Sequence, residues 1–236
     1  MRFPKFIKRG DAIGFVAPSF GCDTEPYKTA FGRAQENFRN MGFGIQIGPN
    51  CYTGDGIGIS NKPELCGQEI NDYYTSEKND ALISCGGGEL MREILNYVDF
   101  DRLRAADPKW FMGYSDNTNL TFLLTTLCDT ASIYGPCAAA FGQEPWHRSV
   151  ADAMAVLQGQ KLSFADGWEK ESLRDEEHPF LPYNITEPRV IKGYPEKFQV
   201  SGRMIGGCMD CLVNLIGTKF DHVGEFLERY KDDGFI

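Results

Sequence analysis

The sequence predicts an α/β fold: a doubly wound, mostly parallel sheet followed by the start of a second, smaller β-rich domain. Two observations support this prediction. Over roughly residues 10–160, short apolar runs alternate with amphipathic segments of about a dozen residues, which is the pattern of successive βαβ units. After Gly159 the pattern gives way to a charged segment with several prolines, typical of a linker or surface excursion.

The strands are predicted where apolar runs are short and rich in β-branched and aromatic residues. Such runs are typical of strands buried on both faces of a parallel sheet. Glycines follow several of them, which indicates tight loops at the strand ends. The five runs, in chain order, are DAIGFVAPS (11–19), FGIQIG (43–48), DALISCGGG (80–88), KWFMG (109–113) and ASIYGPCA (131–138).

The helices are predicted where apolar residues recur every three or four positions, which gives a helix one apolar face. Gly42 and Gly159 mark the ends of two of them. The predicted helices lie at 25–42, 61–76, 89–98, 117–128 and 149–159, and further ones at 207–216 and from 225 onward. We divide the chain into an α/β domain at 1–160, an excursion at 161–199 and the beginning of a C-terminal domain at 200–236.

Composition excludes several classes of protein. The 236 residues are 42% hydrophobic and 24% charged, which suffices for a packed core. The net charge of −9 argues against nucleic-acid and anionic-membrane partners. We find no membrane-spanning run and no signal peptide before Asp11. Eight scattered cysteines, several in apolar runs, favour a reducing cytoplasm over a disulfide framework. We therefore expect a cytoplasmic protein.

The segment GYSDN, Gly113 to Asn117, joins a predicted strand to a predicted helix. A strand, a sharp turn bearing serine and a helix form the layout of a nucleophile elbow. Ser115 would then lie at a helix N-terminus, where backbone N–H groups favour developing negative charge. The Asp116 N–H and those of the Gly86–Gly88 loop could form an oxyanion hole. The familiar elbow is G-x-S-x-G, and Asn117 replaces its second glycine.

Two simpler interpretations of these segments stay open on the pattern alone. Serine and aspartate are preferred N-cap residues, so Ser115 or Asp116 could serve only to begin a helix. The loop SCGGGEL could be a tight turn or a phosphate cradle before a helix. It lacks both the P-loop lysine and the G-x-G-x-x-G spacing, so the pattern does not select a nucleotide.

Four segments that occur in order resemble the LD-carboxypeptidase family of serine peptidases, which includes the microcin C self-immunity hydrolases. They are GDAIGFVAPS, GGG after the third strand, PKWFMGYSDNTNL and GRMIGGCMDCLVNLIGT. The resemblance implies Ser115 as nucleophile, with Asp116, Gly86 and Gly87 at the oxyanion hole. It implies hydrolysis of an amide bond in cytoplasmic murein peptides or a related peptide conjugate, with no metal or other cofactor. Many members carry arginine and tyrosine around the paired glycines, where this chain has Cys85 and Gly88.

The same resemblance implies a Ser–His–Glu triad whose Glu and His belong to the C-terminal domain. We expect both residues beyond Ile236 and therefore expect residues 1–236 to be inactive alone. The three histidines present, His147, His178 and His222, lie in contexts typical of surface or capping residues rather than of a catalytic base.

The remaining expectations concern cysteines, partners and alternative functions. The pair in CMDC, Cys208 and Cys211, has C-x-x-C spacing but no second pair, so we expect core packing rather than metal binding. The expected partner is a small peptide substrate, and the chain could form a homodimer through an exposed apolar surface. The alternatives to a serine hydrolase are a non-catalytic Rossmann-like ligand-binding domain and a truncated pseudo-enzyme.

Overall fold

A five-stranded parallel sheet forms the centre of the protein, as the sequence predicts. The computed structural model describes residues 1–160, 167–190, 192–193, 199 and 201–233. The strand order is β2-β1-β3-β4-β5, with every neighbouring pair parallel. The strands are β1 (Ala12–Val16), β2 (Gly44–Ile47), β3 (Ala81–Ser84), β4 (Trp110–Gly113) and β5 (Ile133–Tyr134).

Helices cover both faces of this sheet. They are α1 (Tyr27–Asn40), α2 (Pro63–Tyr74), α3 (Phe100–Ala105), α4 (Thr118–Thr126), α5 (Arg148–Leu157), α6 (Met209–Leu212) and α7 (Val223–Tyr230). Because side chains alternate along a strand, Ala81 and Ile83 pack with α1 and α5, whereas Leu82 packs with α2 and α4. This two-sided core confirms the doubly wound architecture.

A smaller, less regular region follows α5. Within the predicted excursion, β6 (Gly167–Trp168) pairs antiparallel with β7 (Glu187–Pro188). Farther on, α6 and α7 pack against α4. The helix predicted at 207–216 is only four residues long, and turns follow it. Residues 234–236, which follow the last predicted helix and its turn, lie outside the described residues. No helix among the described residues is long and apolar enough to cross a bilayer.

The segment predicted as a helix at 89–98 is helical, but over a shorter stretch and with 3₁₀ geometry. The segment forms a 3₁₀-helix at Met91–Tyr97, and a separate helix, α3, follows. Leu90, just before the segment, has a left-handed backbone with φ of 63°, and the Met91 N–H donates to the Asp116 carboxylate at 2.8 Å. A long-range contact therefore fixes the start of the segment, which local periodicity cannot indicate. Asp99 begins α3 by accepting a hydrogen bond from the Arg102 N–H.

A buried carboxylate ties α2 to two of the loops at the carboxyl edge of the sheet. Glu69 is 3% exposed, and its oxygens accept hydrogen bonds from the Ala17 N–H at 2.7 Å and the Asn50 N–H at 2.9 Å. These partners follow β1 and β2. Burial raises the pKa of Glu69 to about 7, although both hydrogen bonds act to lower it.

We predict that Glu69 makes stability decrease as pH rises. In the unfolded chain the pKa of a glutamate is about 4.3. Between that value and about 7 the folded protein binds more protons than the unfolded chain, so the free energy of unfolding falls with rising pH. Relative to Glu69→Gln, the wild type should lose about 2 kcal/mol between pH 5 and pH 8. Urea unfolding of both proteins across this range measures the difference.

The matched control for this prediction is Glu36→Gln, which removes an exposed carboxylate from α1. Its stability should follow that of the wild type at every pH. Parallel pH profiles for the wild type and Glu69→Gln would contradict the assignment of the pH dependence to Glu69.

Candidate active site

Loops from three adjacent strands meet at the carboxyl edge of the sheet. In the sheet, β1 lies between β2 on one side and β3 on the other. The strand order therefore reverses direction at β1, which creates a switch point between β1 and β3. Ligand sites of open α/β sheets lie in the crevice outside such a point. Here Ser19 follows β1, the Gly86–Gly88 loop follows β3, and Ser115 follows β4.

Ser115 lies on a sharp turn with an unusual backbone. Its φ is 59°, in the left-handed region that residues other than glycine seldom adopt. It opens a 3₁₀ turn, Ser115–Asn117, that leads into α4, and its N–H donates to the Tyr134 hydroxyl at 3.2 Å. The N-cap residues of the turn and of α4 are Tyr114 and Asn117, and neither makes a side-chain cap bond. The capping interpretation of Ser115 and Asp116 is therefore wrong.

The glycine loop lies directly against this turn. A Cβ atom built on Gly87 would be 3.0 Å from the Ser115 Cβ and 3.4 Å from its Oγ. The Asn117 amide donates to the Gly86 carbonyl at 2.8 Å and to the Tyr114 carbonyl at 3.1 Å. Asn117 thus joins the loop after β3 to the elbow after β4, with Gly86 and Gly87 held beside Ser115.

Asp116 connects the elbow to the other loops through its side chain. The carboxylate, 7% exposed, accepts hydrogen bonds from the Ser19 hydroxyl at 2.6 Å and the Met91 N–H at 2.8 Å. The Asn119 amide donates to the second carboxylate oxygen at 3.1 Å. Burial raises the pKa of Asp116, while the bonds from Ser19 and Met91 act to lower it.

A cavity of about 470 Å³ opens beside Ser115. Its polar and charged lining includes Glu89, Arg92, Asn119, Asp210 and Asn214, besides Ser115 and Asp116. Cys208 and Cys211 also line it, and both are only half-buried. The expectation that this cysteine pair packs into the core is wrong, because the short helix α6 places the pair at the cavity instead.

The three histidines do not line this cavity. His147 bonds to Ser149 at the start of α5 through its Nδ1. His178 pairs with Asp175, and His222 pairs with Glu225. These local contacts agree with the surface and capping roles expected from the sequence. Among the described residues, no group of three or more histidine, cysteine or acidic side chains could hold a metal ion.

The sequence pattern predicts that Ser115 and the glycine loop lie close together, but it does not identify Ser19 and Asn117, whose hydrogen bonds connect the loops. Ser19 belongs to the GDAIGFVAPS segment, and its position after the first strand was the available signal. Asn117 appeared only as a departure from G-x-S-x-G. The structure explains it: a Cβ on Gly113 would lie 2.8 Å from the Asn117 Cβ, so glycine at 113 makes room for the asparagine.

Comparison with known proteins identifies a family and a fold. Residues 13–135 match the family described as LD-carboxypeptidase N-terminal domain. The chain is 26% identical over 220 residues to the microcin C7 self-immunity protein MccF of Escherichia coli, covering 89% of this chain and 62% of that protein. It is 24% identical over 222 residues to the "Probable murein peptide carboxypeptidase" of Bacillus subtilis, covering 92% of this chain and 60% of that protein.

Solved structures show the same fold. The structure of MccF in complex with glutamyl sulfamoyl guanosine superposes with a TM-score of 0.73 at 24% identity, covering 92% of this chain and 66% of that chain. The present chain thus spans about three fifths to two thirds of the length of these relatives. Since the family match extends over more than half of the sequence, this chain belongs to the LD-carboxypeptidase N-terminal domain family.

Proposed function

We propose that this chain carries the nucleophile and oxyanion hole of a serine hydrolase that cleaves an amide bond in a small peptide. The observation that carries the proposal is the left-handed Ser115, which lies beside Gly87 and lines a cavity of about 470 Å³. In a nucleophile elbow, a serine with a strained backbone lies between a strand and a helix and exposes its hydroxyl to the substrate. A serine with a purely structural role does not require this strain.

In this mechanism the Ser115 Oγ attacks the scissile carbonyl carbon. The backbone N–H groups of Asp116 and the Gly86–Gly87 loop stabilise the negative charge that develops on the carbonyl oxygen. Collapse of the tetrahedral intermediate expels the amine and leaves an acyl-enzyme, which water then hydrolyses. Glycine suits the loop because it allows backbone to approach a ligand closely.

A serine hydroxyl needs a base to accept its proton. The histidines of this chain bond to Ser149, Asp175 and Glu225 and do not line the cavity. We therefore place the catalytic histidine and its glutamate partner outside the residues described here. For the same reason we expect residues 1–236 to hydrolyse peptides poorly unless a base is supplied.

The proposed substrate is a murein peptide with an LD-linked terminal residue, hydrolysed in the cytoplasm. The name of the Bacillus subtilis relative supports this choice. An MccF-type activity on a peptide–nucleotide conjugate is the second candidate, favoured by the sulfamoyl nucleotide bound in the MccF structure. In either case we propose that 1–160 forms the nucleophile-bearing domain, 161–199 an excursion and 200–236 the beginning of a second domain. A homodimer is a further proposal.

Two non-catalytic alternatives make different predictions about Ser115. A Rossmann-like ligand-binding domain or a truncated pseudo-enzyme would bind a ligand at the glycine loop without using the hydroxyl. Substitution of Ser115 would then leave the function of the protein unchanged. Catalysis requires the opposite result.

We predict that Ser115→Ala abolishes release of D-alanine from an LD-linked tetrapeptide, assayed with imidazole added as an external base. The substitution removes the attacking oxygen and leaves the oxyanion donors in place. Stability should change by less than about 0.5 kcal/mol, because no side-chain cap bond is lost. Retained release would exclude Ser115 as the nucleophile. In a parallel assay on glutamyl sulfamoyl guanosine, release of the sulfamoyl nucleotide, without release of D-alanine from the tetrapeptide, would favour the second candidate substrate.

We predict that Gly87→Ala lowers the same activity by about 10²-fold, because the new methyl group would displace Ser115 or the loop from its position. The matched control is Gly32→Ala in α1, where an added Cβ meets no atom within 4 Å. The control should retain full activity. Equal activity of the two variants would contradict the close approach of the glycine loop to the reacting serine.

A further inference from the structure

Two cysteines differ from the other six in this chain. Cys22, Cys51, Cys66, Cys85, Cys128 and Cys137 are buried, whereas Cys208 and Cys211 are half-buried. All eight are free thiols in the structure. Both half-buried cysteines line the cavity that contains Ser115. A reagent that enters this cavity can therefore reach two thiols that are three residues apart.

The backbone between these cysteines is suited to a disulfide. The Cys211 N–H donates to the Cys208 carbonyl at 3.1 Å, so a single turn separates the two residues. A turn closed in this way keeps its first and fourth Cα atoms within about 7 Å. A disulfide spans Cα separations of about 4.4–6.8 Å. Bond formation thus requires side-chain rotation with little movement of the backbone.

The same turn is attached to the elbow by two hydrogen bonds. The Cys211 thiol lies 3.6 Å from the Ser115 carbonyl oxygen, to which it donates. The Cys208 N–H donates to the Thr118 hydroxyl at 3.0 Å, at the start of α4. Oxidation of Cys211 would remove its S–H donor and with it the bond to Ser115. The Cys208 bond uses the backbone and would remain.

We propose that Cys208 and Cys211 form a reversible oxidation site that accepts a small-molecule disulfide and is coupled to the elbow through Ser115. The Cys208 sulfur attacks the oxidant, displaces one thiolate and forms a mixed disulfide. The Cys211 sulfur then attacks the Cys208 sulfur and displaces the second thiolate. The two cysteines lose two electrons and two protons, and the oxidant becomes two thiols.

The order of attack follows from the surroundings of the two sulfurs. The Cys211 proton is held in the hydrogen bond to the Ser115 carbonyl oxygen, and burial, with smaller contributions from nearby Asp116 and Cys208, raises the pKa of Cys211 to about 12. The thiolate is the attacking species, so Cys211 is a poor first nucleophile. Cys208 therefore reacts first, and Cys211 resolves the mixed disulfide. In a reducing compartment such a pair stays as thiols until the supply of oxidant rises.

The test is oxidation of the native wild-type chain with glutathione disulfide, followed by thiol blocking and a non-reducing tryptic map. Cleavage after Arg203 and Lys219 places both cysteines in one peptide, 204–219. We expect that peptide to carry no blocking groups and to be two hydrogen atoms lighter than its unblocked dithiol form, while the peptides with the other six cysteines take up the blocking reagent. Dithiothreitol should restore the original mass. A reduced 204–219 peptide, or earlier oxidation of the buried cysteines, overturns the proposal.

Two conservative variants test the order of attack and serve as controls for each other. Cys211→Ser should accumulate a mixed disulfide with glutathione on Cys208, whereas Cys208→Ser should remain almost unmodified. The reverse pattern overturns the assigned order.

Hydrogen exchange tests the coupling: amide exchange at Ser115–Asn117 should be faster in the oxidised wild type than in the reduced protein. Unchanged exchange overturns the coupling to the elbow.

Discussion

The buried Asp116 carboxylate is the constraint on which the geometry of the site depends. It accepts hydrogen bonds from Ser19, which follows β1, and from Met91, which follows the glycine loop. Its own backbone belongs to the elbow after β4. A buried carboxylate is tolerated only when its oxygens are satisfied, so these loops can move only together. The sheet fixes where each strand ends but leaves the loops beyond the strand ends free to move. The hydrogen bonds to Asp116 restrict that movement.

The left-handed backbone of Ser115 depends on this network. A non-glycine residue in that region costs about 1–3 kcal/mol, which the surrounding contacts must offset. Hydrogen bonds to a charged group each contribute about 1.5–3 kcal/mol, and Asp116 accepts them from three residues. Asn117 adds two bonds, one to the Gly86 carbonyl of the glycine loop and one to the Tyr114 carbonyl of the elbow. The residues after Ser115 thus hold it in a conformation it would not adopt alone.

Close approach of backbone explains the glycines of the site. Gly87 lies where a Cβ would crowd Ser115 at 3.0 Å, and Gly113 lies where a Cβ would collide with Asn117 at 2.8 Å. Gly86 contributes its carbonyl to the Asn117 amide, while a Cβ on it would lie 2.7 Å from the Phe20 ring. The glycine run therefore serves packing against the elbow as well as access for a ligand. A phosphate cradle alone would not require the contact with Ser115.

The sequence predicted the strands and the meeting of two loops, because both depend on local patterns. Short apolar runs indicate buried parallel strands, and parallel strands end at one edge of the sheet. The helix predicted at 89–98 begins only at Met91 and has 3₁₀ geometry, because Asp116, distant in sequence, fixes its first turn. The cysteine pair was assigned wrongly because an apolar pattern at 207–216 does not show that most of that helix is replaced by turns. The roles of Ser19 and Asn117 could not be predicted, because both depend on hydrogen bonds to residues that are distant in sequence.

The most direct test of this account is to react residues 1–236 with a fluorophosphonate, with and without added imidazole, and to identify the residue that is modified. Fluorophosphonates modify serines that act as nucleophiles, and imidazole can supply the missing base. The account predicts little labelling without imidazole, and labelling confined to Ser115 that increases with imidazole concentration and disappears in Ser115→Ala. Labelling of another residue, or no labelling of Ser115 at any imidazole concentration, would contradict it.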